Sequence, residues 1–163
     1  MRILVTGGCG FIGSHFVRHM VKKYPEYDIT NYDKLTYAGS LENVSDIEGW
    51  YHNYHFVKGD ICDYEKLKKT VKALDIDVIV NFAAESHVDN SIENSDEFIN
   101  TNINGTHTLL KLMHEFTIHK FVQISTDEVY GTLTEDDLAF TENTPLAPNS
   151  PYAASKTSAD LLC

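Results

Sequence analysis

"VTGGCGFIG", residues 5 to 13, closes a short apolar run that begins at Arg2 and opens a segment with helical spacing. Glycines at 8, 10 and 13 satisfy G-x-G-x-x-G, while Gly7, Gly10 and Gly13 satisfy G-x-x-G-x-x-G, and the sequence leaves both registers open. A strand that turns tightly into a helix over such a loop lets the backbone approach a pyrophosphate, with the helix N-terminus facing the negative charge. A bare glycine pattern is weak, and its place between strand and helix gives it weight. The second test is an acid about 20 positions on, at the end of the next strand, where it would hold the adenosine ribose hydroxyls. Asp33, in "NYDKLTYAG", meets it. A carboxylate there repels a 2′-phosphate and so favours NAD over NADP, a preference that Lys34 beside it moderates.

Outward from this loop, apolar runs alternate with amphipathic segments. Residues 2–6, 28–32, 54–59, 77–83 and 120–125 read as strands, and residues 11–24, 63–74 and 94–116 carry helical spacing. In the second helix Leu67, Val71 and Leu74 share one face, with Lys66, Lys68, Lys69 and Lys72 largely off it. The β-α-β-α rhythm predicts an α/β fold, a doubly wound parallel sheet with helices on both faces. Residues 132–150 read as a loop, and Pro151 stands in the first turn of a last helix, where its missing N–H does no harm.

A length of 163 residues suits one domain rather than two. The net charge of −11, without clustered Lys and Arg, argues against nucleic acid as a partner but leaves room for a small anion bound by backbone amides. Cys9, Cys62 and Cys163 are too few and too scattered for a disulfide framework or a metal site, and the eight histidines show no ligand-like spacing, so no metal is expected. Reduced thiols point to the cytoplasm. The N-terminus reads neither as a signal peptide nor as a membrane span.

Three further stretches carry chemistry. "GDI" (59–61) and "NFAAES" (81–86) close the third and fourth strands, where ligands of such sheets bind. Asp60 would meet an adenine amino group or cap the helix beginning near Asp63, and both readings stand. Tyr152 and Lys156, four apart on the last helix, share a face. An ammonium beside the phenol would lower its pKa and make Tyr152 a base for an alcohol proton. Asp127 and Glu128, in "ISTDEVYG" (124–131), follow a buried strand as either an acid/base pair or the polar start of a surface loop.

"TGGCGFIG", "AAESHVD", "STDEVYG" and "PYAASK", in this order, resemble the extended short-chain dehydrogenase/reductase family, and more narrowly its NAD-dependent nucleotide-sugar 4,6-dehydratases. The resemblance implies a Rossmann-type domain in which Phe11 and Ile12 line the pyrophosphate. Asp33, Lys34, Leu35 and Thr36 would hold the adenosine ribose, and Asp60 and Ile61 would flank the adenine. Phe82, Ala83, Ala84, Ser86 and Thr101 would lie along the rest of the cofactor. It also implies that Tyr152 with Lys156 oxidises C4 of a hexose, Glu128 takes the C5 proton and Asp127 protonates the departing C6 oxygen. Thr126 would orient the sugar beside Ser86 and His87, and the dinucleotide would be regenerated in each cycle. For the acid role, burial or the adjacent Glu128 must raise the pKa of Asp127.

Epimerases and decarboxylases of the same superfamily do not typically carry Thr-Asp-Glu at this place. Asn90 stands where an arginine is usual after "AESHVD", which leaves dTDP-glucose and UDP-glucose both open as substrates. Members of the family are longer and form homodimers through the Tyr152 helix. Residues 1–163 are therefore expected to be the NAD-binding domain, with an incomplete sheet and the C-terminal nucleotide-sugar domain missing. Two readings result: the cofactor half of a hexose dehydratase, or a stand-alone dinucleotide-binding fragment without activity.

Overall fold

Strand β1 (Arg2–Thr6) sits at the centre of a five-stranded, all-parallel sheet in a computed structural model that describes residues 1–163. The sheet comprises β2 (Asp28–Asp33), β3 (Tyr54–Lys58), β4 (Val78–Asn81) and β5 (Lys120–Gln123), in the order β3-β2-β1-β4-β5. The order reverses at β1: the chain first winds outward through β2 and β3, then crosses back to β4 and β5. The carboxyl ends of β1 and β4 therefore diverge into loops that leave in opposite directions, which opens a crevice there. Register is continuous across the centre, with Val5 opposite both Asn31 of β2 and Val80 of β4.

Alternation along β1 builds two cores. Ile3 and Val5 point to one face, where they pack with Val17 and Val21 of helix α1 (Phe11–Lys23), with Ile29, and with Val44 and Ile47. Leu4, fully buried, points to the other face. There it joins Leu67 and Val71 of α2 (Tyr64–Leu74) and Leu109 and Leu112 of α5 (Thr106–Glu115). Both faces are covered, so the central strands are apolar on both sides rather than on alternate residues alone. This is the doubly wound Rossmann-type fold expected from the sequence.

Helix boundaries follow from their ends. Asp63 caps α2 by accepting from the Lys66 N–H at 3.0 Å, and Ser150 caps α6 (Pro151–Leu162) by accepting from the Ala153 N–H at 3.0 Å. Pro151 stands in the first turn of α6, as expected.

Two features depart from the sequence reading. A short helix, α3 (Val88–Glu93), and a 3-10 turn at Leu41–Val44 occupy stretches to which the sequence reading assigns no element. The long helix expected over 94–116 is composite. It runs from α4 (Asp96–Phe98) through a π-helical segment, Ile99–Gly105, into α5. Gly105 permits close approach there, since a Cβ would come within 2.4 Å of Ile61 Cδ1. Residues 132–150 carry no helix or strand.

Candidate active site

The strand ends and α6 enclose a cleft of about 410 Å³ above the carboxyl end of the sheet. Its floor is the glycine loop. Gly7 has φ 70°, and a Cβ on it would lie 2.6 Å from the Ala83 backbone nitrogen; a Cβ on Gly13 would lie 2.3 Å from the Gly7 carbonyl oxygen. Gly7, Gly10 and Gly13 line the cleft, whereas Gly8 is buried against Asn31. Of the two glycine registers, the one at 7, 10 and 13 is thus the one that faces the cleft. No side chain caps α1 and no acid stands in its first turn, so its amides are available to an anion. Phe11 and Ile12, in that turn, line the cleft while remaining 79% and 64% exposed.

On the β2 side Asp33 is buried and turned back onto the protein. Its carboxylate accepts from the Cys9 N–H at 2.8 Å and from the Leu35 N–H at 2.7 Å, which fixes the glycine loop and the following loop to each other. Each oxygen keeps a second lone pair, and Asp33 still lines the cleft. Leu35 takes a left-handed backbone, φ 57°, and does not line the cleft, whereas Thr36, Ala38 and Gly39 do.

Lys34 pairs with Asp60 at 2.8 Å. Burial alone would raise the Asp60 carboxyl, but Lys34 and the Cys62 N–H outweigh it and hold it below the usual range. Helix α2 is capped by Asp63, so Asp60 is left to face the cleft beside Ile61. The Lys34 charge that was expected to moderate the NAD preference is matched by a carboxylate.

On the β4 side Phe82, Ala83, Ala84, Glu85 and Ser86 line the wall, and Thr101 of the π-helical segment faces them. Asn102, buried one residue on, grips this wall: its side-chain oxygen accepts the Glu85 N–H and its Nδ2 donates to the Glu85 carbonyl, both at 2.9 Å. His87 is exposed and stands outside the cleft.

Tyr152 and Lys156 both line the cleft from α6 and both are buried. The Tyr152 N–H, one of the helix-start donors without an intrahelical partner, donates to Ser91 Oγ of α3 at 3.1 Å. The expected lowering of the Tyr152 phenol by Lys156 is not what the structure gives. Burial raises it, with Glu128 and Asp127 adding to the rise and the Thr126 hydroxyl pulling the other way. Lys156 Nζ instead donates to the Ile124 carbonyl at 2.5 Å, and burial pushes its ammonium below the ordinary range although Asp160 opposes this. A shared helix face brought the two side chains to one cleft but did not pair them.

Asp127 and Glu128 leave β5 on a 3-10 turn, Asp127–Tyr130, whose N-cap is Thr126. Thr126 Oγ1 accepts from the Glu128 N–H at 3.3 Å and donates to Asp127 Oδ1 at 3.4 Å. None of the three lines the cleft, though Ser125, next to Thr126, does. Asp127 is exposed and Glu128 half-buried, so of the two influences expected on Asp127 these residues supply the neighbouring Glu128 but not burial. Residues that the sequence reading passed over include Tyr32, Ile124 and Ser125 in the lining, and Asn102 and Ser91 behind it. Only Asn102 gave a local signal, a polar residue on the buried side of a helix with Gly105 close behind it.

A switch-point crevice, a bare helix N-terminus over a glycine loop and a buried Tyr/Lys helix on the same cleft define a nucleotide-binding α/β protein of the short-chain dehydrogenase type. The chain belongs to the family described as GDP-mannose 4,6 dehydratase, whose model matches residues 4–163. It is 51% identical over 162 residues to the low-salt glycan biosynthesis protein Agl12 of Haloferax volcanii, covering 99% of this chain and 50% of that protein. A crystal structure of dTDP-glucose 4,6-dehydratase from Bacillus anthracis in complex with NAD superposes with a TM-score of 0.89 at 53% identity, covering 99% of this chain and 49% of that one. DesIV, the dTDP-glucose 4,6-dehydratase of Streptomyces venezuelae, also with NAD bound, gives a TM-score of 0.91 at 46% identity, covering 99% and 50%. The chain spans about half the length of the curated relatives it matches.

Proposed function

We propose that this chain forms the NAD-binding and catalytic part of a dTDP-glucose 4,6-dehydratase. The observation that carries the reading is the convergence of the glycine loop, Asp33, Tyr152 and Lys156 on one cleft, with the Thr126–Glu128 turn at its rim. Support for the nucleotide comes from the names of the two similar structures, both dTDP-glucose enzymes with NAD.

The residues present suit a dinucleotide. The uncapped amides of α1 receive the pyrophosphate, and the close packing at Gly7 and Gly13 leaves that approach clear. Asp33 takes the adenosine ribose with its remaining lone pairs, and Asp60 and Ile61 flank the base. When bound, NAD accepts and returns the hydride.

The chain's own residues move protons and hold the sugar. Tyr152 takes the C4 hydroxyl proton, while Lys156, fixed by Ile124, fills the adjoining wall with its two remaining donors. The resulting C4 ketone acidifies C5–H. Glu128 then takes that proton and Asp127 gives one to the departing C6 oxygen, which leaves as water. Thr126, Ser86 and His87 orient the hexose at the rim. A homodimer in the cytoplasm belongs to the same reading, which the three unpaired thiols support as to compartment.

The test is to supply the chain with NAD⁺ and dTDP-glucose, with UDP-glucose in parallel, and follow the 4-keto-6-deoxy sugar. Product from dTDP-glucose that is lost in Glu128→Gln supports the proposal. Absence of NAD⁺ binding, or turnover of UDP-glucose alone, overturns it.

A further inference from the structure

Tyr37 and Glu85 belong to different loops on opposite sides of β1. Tyr37 follows β2 and Glu85 follows β4, strands that lie two spacings apart, roughly 10 Å. Yet Tyr37 Oη donates to Glu85 Oε2 at 3.3 Å. Below them, β2, β1 and β4 are joined by sheet hydrogen bonds, and above them this one contact joins the loops. The result is a closed ring of protein over the carboxyl end of β1, where the glycine loop stands.

Both sides of the ring are fixed by hydrogen bonds to their backbone, and one pair of side chains closes it. On the β2 side, Asp33 fixes Leu35, the turn from Thr36 to Gly39 closes at 3.1 Å, and the Ser40 N–H and Asn43 Nδ2 reach the Cys9 carbonyl at 3.1 and 2.8 Å. On the β4 side, Asn102 holds Glu85 through both of its backbone groups. Tyr37 itself is 69% exposed, and nothing in its own packing requires its position. The Glu85 carboxyl is half-buried against the cleft, where burial raises its pKa and the Tyr37 hydroxyl lowers it. Breaking one hydrogen bond would open the ring without moving either loop.

We infer that Tyr37 and Glu85 form a latch that closes over the diphosphate of the bound dinucleotide and slows its escape. The inference rests on the proposed use of the cleft for NAD. A cofactor that must remain in place while a sugar is oxidised and then reduced gains from such retention, because each escape in mid-cycle would strand an oxidised intermediate.

The experiment loads the chain with NADH, chases with excess NAD⁺ and follows the loss of NADH fluorescence in stopped flow. Tyr37→Phe removes only the hydroxyl and is expected to raise the dissociation rate roughly three- to tenfold, with an unchanged Tm. Glu85→Ala, which removes the acceptor, is expected to act in the same direction, and the double variant to exceed neither single one by much, since both break the same contact. A wild-type dissociation rate in Tyr37→Phe, or fully additive effects, would overturn the latch while leaving the dinucleotide site standing. Failure of the wild-type chain to bind NADH would overturn both.

Discussion

Asn102 bonds to the Glu85 backbone as a neighbouring strand would, accepting its N–H and donating to its carbonyl, and the same Nδ2 donates to Ser155 Oγ at 2.8 Å. Ser155 in turn donates to the Tyr152 carbonyl at 2.7 Å. One buried carboxamide therefore sets the distance between the β4 wall of the cleft and the helix that carries Tyr152 and Lys156.

Replacing Asn102 with Leu keeps the bulk but strands the Glu85 N–H and carbonyl. A loss of about 1–3 kcal/mol is expected, which lowers Tm by several degrees in a chain of this size. Thermal unfolding measures it. NAD⁺ affinity should fall as well, because the wall that lies along the ligand is no longer pinned.

Gly13→Ala places a methyl group 2.3 Å from the Gly7 carbonyl oxygen, which is backbone and has little room to yield. The loop must shift at the point where, in the proposed function, the pyrophosphate approaches. At least a tenfold loss in NAD⁺ affinity is expected by fluorescence titration, equivalent to about 1.4 kcal/mol.

At the opposite end of the sheet, Arg2 holds Asp77 through its backbone N–H at 2.8 Å and its guanidinium at 3.0 Å. These contacts keep the Asp77 carboxyl at about 2, below its ordinary 3.8. A carboxyl lowered on folding contributes stability above its unfolded value and loses it as pH falls to its folded one, here from about pH 4 to about pH 2. With allowance for its partial exposure, Asp77→Asn should cost on the order of 1 kcal/mol at neutral pH and little near pH 2. Urea unfolding at the two pH values checks this. NAD⁺ affinity should not change.

Lys156 is 4% exposed, with a pKa below its ordinary 10.5 because of burial. An ammonium disfavoured by folding costs stability while it is charged, and the cost fades as pH rises through its folded value toward 10.5. Lys156→Met removes that cost at neutral pH, a gain that the stranded Ile124 carbonyl partly offsets. The gain should shrink in alkaline solution, where thermal unfolding of both proteins gives the comparison.

The strands were legible because burial on both faces leaves continuous apolar runs, as in "RILV" and "VIV", and because caps such as Asp63 and Ser150 are local signals. The cleft was legible for the same reason: glycines and strand-end acids mark it directly. What escaped depends on contacts distant in sequence. The π-helical turn at Ile99–Gly105 has ordinary helical spacing, and its neighbours, Ile61 and the β4 loop, are distant in sequence. The Tyr152–Lys156 spacing indicated a shared face correctly but said nothing of Ile124, whose carbonyl takes the ammonium away from the phenol. The second role of Asp33, fixing Cys9 and Leu35, was equally invisible, since only the folded turn brings those amides to it.

Calorimetric titration of the chain with NAD⁺, and separately with NADP⁺, tests the central claim most directly. The proposed function predicts one site per chain, with NAD⁺ preferred because Asp33 would meet the ribose and the Lys34 charge is held by Asp60. Asp33→Asn should narrow that preference. Absence of NAD⁺ binding, or tighter binding of NADP⁺, would contradict the account.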